Sequence, residues 1–116
     1  MLARENRLRS AADITRVYKR GVYGGSGGAL SVKAVKSGRP VTRVVVVVAK
    51  KVSKRAVVRN RIRRRLIEHI RSRLETVVPG WDIVLSVHAD ISELSASDLA
   101  DHVAKALTRA GVTTKI

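Results

Sequence analysis

Apolar positions along this chain change their spacing from one segment to the next, and the spacing predicts the elements. In residues 10–20, Ile14, Val17 and Tyr18 recur at helical intervals and share one face. Ser10 stands at the N-cap position, Asp13 follows three residues later, and Gly21 closes the segment. "GVYGGSGG", residues 21–28, has no periodicity; its five glycines predict a mobile connection or a close approach to a ligand. Residues 29–36 alternate as a strand does, and "KSGRP" supplies a turn. Residues 41–49 carry an unbroken run of five valines. Such a run predicts a strand buried on both faces, hence a central one.

A long helix is predicted over Ala56–Val77, where Val58, Ile62, Leu66, Ile70 and Leu74 repeat every fourth residue and Ile67 widens the stripe. "VPG" at 78–80 stops it. "WDIVLSVHA", residues 81–89, reads as a strand, and "DISEL" as a loop. Ser95 and Asp98 then form a capping pair for a last helix, with Leu99, Val103, Ala106 and Leu107 on its buried side and Gly111 at its end. The predicted order is α-β-β-α-β-α, with room for a short extra strand near the glycines. With no internal repeat or linker, residues 1–116 read as a single domain.

Charge changes the picture. The chain carries a formal net charge of +15, with 24 Lys and Arg against nine acids. Residues 50–73 alone hold 11 Lys and Arg and one acid, Glu68, and "RNRIRRR" at 59–65 packs five arginines into seven positions. At 45% apolar residues the chain has enough material for a core and is not a disordered basic tail. Cysteine is absent, which excludes disulfides and thiolate metal sites. The first ten residues hold no hydrophobic stretch, so no signal peptide is expected, and the longest apolar runs are too short to span a bilayer. A soluble cytoplasmic protein with a polyanionic partner is the expectation.

A solvated face is the ordinary explanation of a charged helix, and Arg61, Arg64 and Arg65 point away from the apolar stripe as such a face would. Two details favour nucleic-acid phosphates instead. Arg59 and Arg63 lie on the apolar stripe itself, so the helix start overhangs the core or borders a groove. Lys54, Arg55, Arg59 and Arg61 also crowd a helix N-terminus, where the helix dipole disfavours cations. Arginine grips phosphate with a planar fork, and Asn60 adds a neutral donor and acceptor for a sugar or base edge. No catalytic residue or metal site is readable. The nine acids are scattered; His88 and Asp90 could share a strand end but have an ordinary structural reading, and Glu68 suits an ion pair with Arg64 or Arg65.

"AKKVSKRAVVRNRIRRRLIE", residues 49–68, resembles the signature region of the bacterial ribonuclease P protein subunit family. Lys50 and Lys51 follow the valine strand, Lys54 and Arg55 occupy the turn, and Arg59-Asn60-Arg61, Ile62, Arg63 and Arg64 follow at the family's spacing. "NRLRSAADITRVYKRG" (6–21), "GWDIVLSV" and the last amphipathic helix are similar to the family in the same order, so the resemblance spans about residues 6–111.

The resemblance implies an α+β fold: a two-layer α/β sandwich with about four strands and three helices, ribosomal protein S5 domain 2-like, with a left-handed βαβ crossover against the usual rule. It implies RNA contacts by Lys50, Lys51, Lys54, Arg55, Arg59, Asn60, Arg61, Arg63, Arg64 and Arg65. It also implies a cleft between the first helix and the sheet that holds the 5′ leader of precursor tRNA, with Ile14, Tyr18, Arg9 and Arg16 as leader-binding residues. Family members line this cleft with aromatics, often Phe, which this chain lacks. Tyr18 can stack on a base and Ile14 cannot, and ordinary core packing explains Ile14 equally well. The implied partners are the catalytic RNA subunit and precursor tRNA, with the protein a monomer in the ribonucleoprotein and hydrolysis left to the RNA. Its Mg²⁺ ions are implied to be bound mainly by the RNA partner. Two other readings of the residues stay open: an RNA-binding module with no enzymatic partner, and a basic amphipathic helix for membrane surfaces, the latter short of interfacial aromatics.

Overall fold

The computed structural model describes residues 2–112. The ends of the predicted 1–116 domain, residues 1 and 113–116, lie outside the described residues. A short 3₁₀ turn, Arg4–Asn6, precedes helix α1, Ala11–Arg20. Strands β1 (Val22–Gly25), β2 (Leu30–Lys36) and β3 (Arg43–Val48) follow, then α2 (Ala56–Arg73), β4 (Trp81–Val87) and α3 (Ala96–Arg109). Both predicted caps form: Ser10 Oγ accepts from the Asp13 amide at 3.4 Å, and Ser95 Oγ from the Asp98 amide at 3.1 Å. Helix α2 ends at Arg73, short of the predicted Val77. Thr76, Val77 and Val78 are β-branched, and Pro79 pushes the residue before it out of the helical region.

The sheet order is β1-β2-β4-β3, with β1–β2 and β2–β4 antiparallel and β3–β4 parallel. The valine strand β3 is therefore at an edge, and β4 is central, which corrects the sequence expectation. Burial on both faces is nevertheless real. Val44, Val46 and Val48 enter the main core, while Val45 and Val47 are half-buried on the opposite face. A valine run reports two covered faces, not two neighbouring strands. The edge itself is partly closed by the chain's own N-terminal segment, where the Leu8 amide donates to the Val44 carbonyl at 3.1 Å.

Helices α2 and α3 form one layer against the sheet. Ile62, Leu66 and Ile70 of α2 and Leu99, Val103 and Leu107 of α3 close over Val32, Val46, Ile83 and Leu85. Each such side chain stabilises the fold by about 1.5–3 kcal/mol on burial. Helix α1 lies on the other face, where Val17 and Ile14, with Leu8, cover Val84, Val35, Val45 and Val47. The glycine stretch is also more ordered than its composition predicts, because β1 runs through it. A Cβ at Gly24 would fall on the Ala106 carbonyl and the Ala110 amide nitrogen, so glycine is required for α3 to sit against β1.

The parallel β3–α2–β4 unit brings two features to one end of the sheet. Val48 pairs with Val87, so the loop 49–55 and the residues after β4 emerge side by side. On the α1 face at this end, Gly25, Ser31, Ser86 and Val47 lie in one cross-strand row.

Candidate nucleic-acid interface

The basic surface begins in the loop 49–55. The Val52 amide donates to the Ala49 carbonyl at 3.0 Å, and the Arg55 amide to Ser53 Oγ at 3.2 Å. Arg59 reaches back from the first turns of α2, donating from Nη1 to the Ser53 carbonyl at 2.8 Å. This brace holds Lys50, Lys51, Lys54 and Arg55 outward, and all four are exposed. The first turn of α2 has no acidic residue, and its N-cap Arg55 makes no side-chain cap. Cations and free amides thus converge where an anion would be stabilised.

Along α2, Asn60, Arg61 and Arg64 are exposed and Arg63 is half-buried. Arg63 Nη1 donates to Asn60 Oδ1 at 2.6 Å, which orients both side chains over a groove of about 330 Å³ lined by Val57, Asn60, Arg63, Arg64 and Ile67. Val57 is 65% exposed, an apolar surface among arginines that a base or sugar could cover. Arg61 lies 3.9 Å from Glu93, and both are exposed, a pairing of little consequence.

Two sequence assignments come out differently. Arg65, expected among the outward cations, is half-buried and donates to the carbonyls of Ile91, Ser92 and Leu94 at 3.2, 3.0 and 2.6 Å. It ties the loop after β4 to α2. Glu68 pairs with Arg71 at 2.8 Å, and among the described residues no ion pair joins it to Arg64 or Arg65. His88 and Asp90 are also held by the protein: Ser31 Oγ meets His88 Nε2 at 2.7 Å, and Asp90 Oδ1 accepts from the Ser92 amide at 2.9 Å.

The second surface is the cleft beside α1. Ile14 is half-buried against the sheet, and Tyr18 is 44% exposed. Lys33 of β2 donates from Nζ to the Tyr18 carbonyl at 2.8 Å, and the same ammonium lies 6.0 Å from the Tyr18 ring centroid. Arg9 is exposed just before α1. Arg16 places its Nη2 2.8 Å from Asp82 Oδ2 and so attaches α1 to the sheet, while its side chain stays 38% exposed.

Sequence reading missed Tyr23. It pairs with Lys33 across β1–β2, is 60% exposed, and lies across Gly25, where an added Cβ would come within 3.0 Å of its hydroxyl. Tyr18 and Tyr23 thus flank Lys33. The available signal was a lone tyrosine among glycines, which gains meaning only once β1 is recognised as a strand.

A family model described as Ribonuclease P matches residues 2–111. The chain is 34% identical to the ribonuclease P protein component of a Cyanothece species and 39% identical to that of a Pseudanabaena species, with 97% of both chains covered in each case. Among solved structures it resembles the RNase P protein of Staphylococcus aureus, at a TM-score of 0.80 and 22% identity over 93% of this chain and 97% of that one. It also resembles the RNase P protein of Thermotoga maritima, at a TM-score of 0.77 and 24% identity over 89% of this chain and 96% of that one. The structural likenesses bear on the fold, which agrees with the α+β architecture described above. The family match and the curated relatives bear on the lineage, and through them this chain belongs to the ribonuclease P protein family.

Proposed function

We propose that this chain is the protein subunit of a cytoplasmic ribonucleoprotein that removes the 5′ leader from precursor tRNA, with the chemistry carried by the RNA partner. The observation that supports this reading best is that one small fold carries two distinct surfaces, a basic one after β3 and an aromatic one between α1 and β1–β2. The loop 49–55 and the start of α2 offer cations to a structured RNA, while the cleft beside α1 offers stacking and a cation to a single strand. In this reading Lys50, Lys51, Lys54, Arg55, Asn60, Arg61, Arg63 and Arg64 neutralise phosphates of the catalytic RNA. Tyr18, Tyr23 and Lys33 hold the leader by stacking and by phosphate contact, with Ile14 as an apolar wall and Arg9 at the rim. Precursor is thereby favoured over mature tRNA, which has no leader to hold.

Among the described residues, no three His, Cys, Asp or Glu side chains come together to hold a metal ion. In this reading Mg²⁺ is bound mainly by the RNA, and the arginines lower the phosphate repulsion around it. Among the described residues no helix is long and apolar enough to cross a membrane. One protein copy per RNA suffices for both surfaces. The deciding measurement is precursor-tRNA cleavage by the catalytic RNA at low magnesium, with and without the protein. Stimulation that fades as magnesium rises is the expected result; no stimulation at any magnesium concentration would refute the reading.

A further inference from the structure

Asp82, on central strand β4, is fully buried at 0% exposure, yet it is bound from two elements. Arg43 of β3 donates to it with both arms of its fork, Nε to Oδ1 at 2.9 Å and Nη2 to Oδ2 at 2.7 Å. Arg16 of α1 donates from Nη2 to the same Oδ2 at 2.8 Å. Asp13, one turn earlier on α1, lies 3.2 Å from Arg43 Nη1 and 3.9 Å from Arg16 Nη2. Two cations and two anions close into a neutral cluster between α1 and the sheet.

A cluster built on a buried carboxylate is a poor source of net stability, because the desolvation of Asp82 and Arg43 offsets much of the attraction. What it supplies is geometry, since a forked arginine accepts a carboxylate in few orientations. Helix α1 needs that help. Val17 is its only fully buried side chain among the described residues, so apolar contact alone defines its rotation and height loosely. A second tie, Lys33 to the Tyr18 carbonyl, lies two residues further along the helix. Arg16 and Tyr18 are separated by about 3 Å along the helix axis, so fixing one fixes the other.

We propose that Asp82 is a positioning residue for the cleft: through Arg16 and Arg43 it sets how α1 stands over the sheet, and so where Ile14 and Tyr18 meet a nucleic-acid strand. This rests on the leader-binding reading given above. Removing Asp82 outright would leave the largely buried Arg43 without its forked partner. The test therefore uses Arg16→Met, which cuts the direct tie of α1 to Asp82 but keeps the forked Arg43–Asp82 pair, with Arg16→Lys as the conservative rescue.

Amide hydrogen exchange of the free full-length protein should show α1 exchanging about ten-fold faster in Arg16→Met, with the Ile62–Ile70 segment of α2 unchanged. In the complex with the catalytic RNA, the preference for precursor over mature tRNA should fall by about five-fold, because a site loosened by an ångström loses much of its hold. Arg16→Lys should recover part of both effects. Unchanged exchange in α1 would overturn the proposal. So would unchanged preference in Arg16→Met when Tyr18→Ala, measured alongside, does lower it. Should Tyr18→Ala leave the preference unchanged as well, the leader reading itself fails and takes the proposal with it.

Discussion

Arg59 and Ser53 are joined by a hydrogen bond of 2.8 Å from a guanidinium to a backbone carbonyl, so one arginine of the basic run supports the loop that carries Lys50, Lys51, Lys54 and Arg55. The two kinds of arginine should separate on mutation. Arg61→Ala and Arg64→Ala should each weaken binding to the catalytic RNA and reduce the log–log salt slope by about one, leaving thermal stability within about 0.5 kcal/mol. Arg59→Ala should weaken binding and also cost roughly 1 kcal/mol of stability, because the Ser53 brace is lost. RNA titrations at several salt concentrations beside thermal melts would distinguish them. Equal melts for all three variants would show that the brace is immaterial.

Arg65 should behave in the opposite way to Arg64. Its contacts to Ile91, Ser92 and Leu94 are all within the protein. Arg65→Ala should cost roughly 1–3 kcal/mol and lower the melting temperature by several degrees. The fraction that stays folded should bind the catalytic RNA with nearly wild-type affinity. A stable Arg65→Ala protein with sharply reduced affinity would return Arg65 to the RNA surface.

Tyr18→Ala and Tyr23→Ala should each reduce affinity for precursor tRNA by about 1–3 kcal/mol and leave affinity for mature tRNA nearly unchanged. Tyr→Phe at either position should retain most of the binding, since stacking and not the hydroxyl carries the contact. Equilibrium binding with both substrates tests this. An equal loss for precursor and mature tRNA would place the rings outside the leader's path.

His69 predicts a pH dependence of folding. Its Nε2 accepts from Arg73 Nε at 2.8 Å, which requires a neutral ring. Burial, and then the Arg73 charge, hold its pKa below the ordinary value of 6.5. The unfolded chain therefore binds a proton more readily than the folded one. This contribution to stability is complete above pH 6.5 and declines as the pH falls from there toward the lower folded value. His69→Gln should flatten the stability profile across that window in urea melts. A wild-type profile that rises on acidification would contradict the assignment.

Much of this protein is determined by local sequence. Ser10 and Ser95 set the starts of α1 and α3 because a side-chain oxygen three residues before a free amide caps it with no help from the rest of the fold. The four-residue repeat of Ile62, Leu66 and Ile70 fixes the buried face of α2, and the charge of residues 50–73 points to a polyanion, because neither depends on what lies opposite. Other features were decided only by assembly. The valine strand proved to be an edge strand, since sequence records the covering of its faces but not the order of its neighbours. Residues 22–25 became β1 because β2 offered a partner edge and α3 required Gly24. Arg16 and Arg65 look like the other cations along the chain. Asp82 and the carbonyls of Ile91, Ser92 and Leu94, brought close by β4, engage them within the protein, because a long charged side chain takes its role from whatever acceptor the tertiary structure places within its reach.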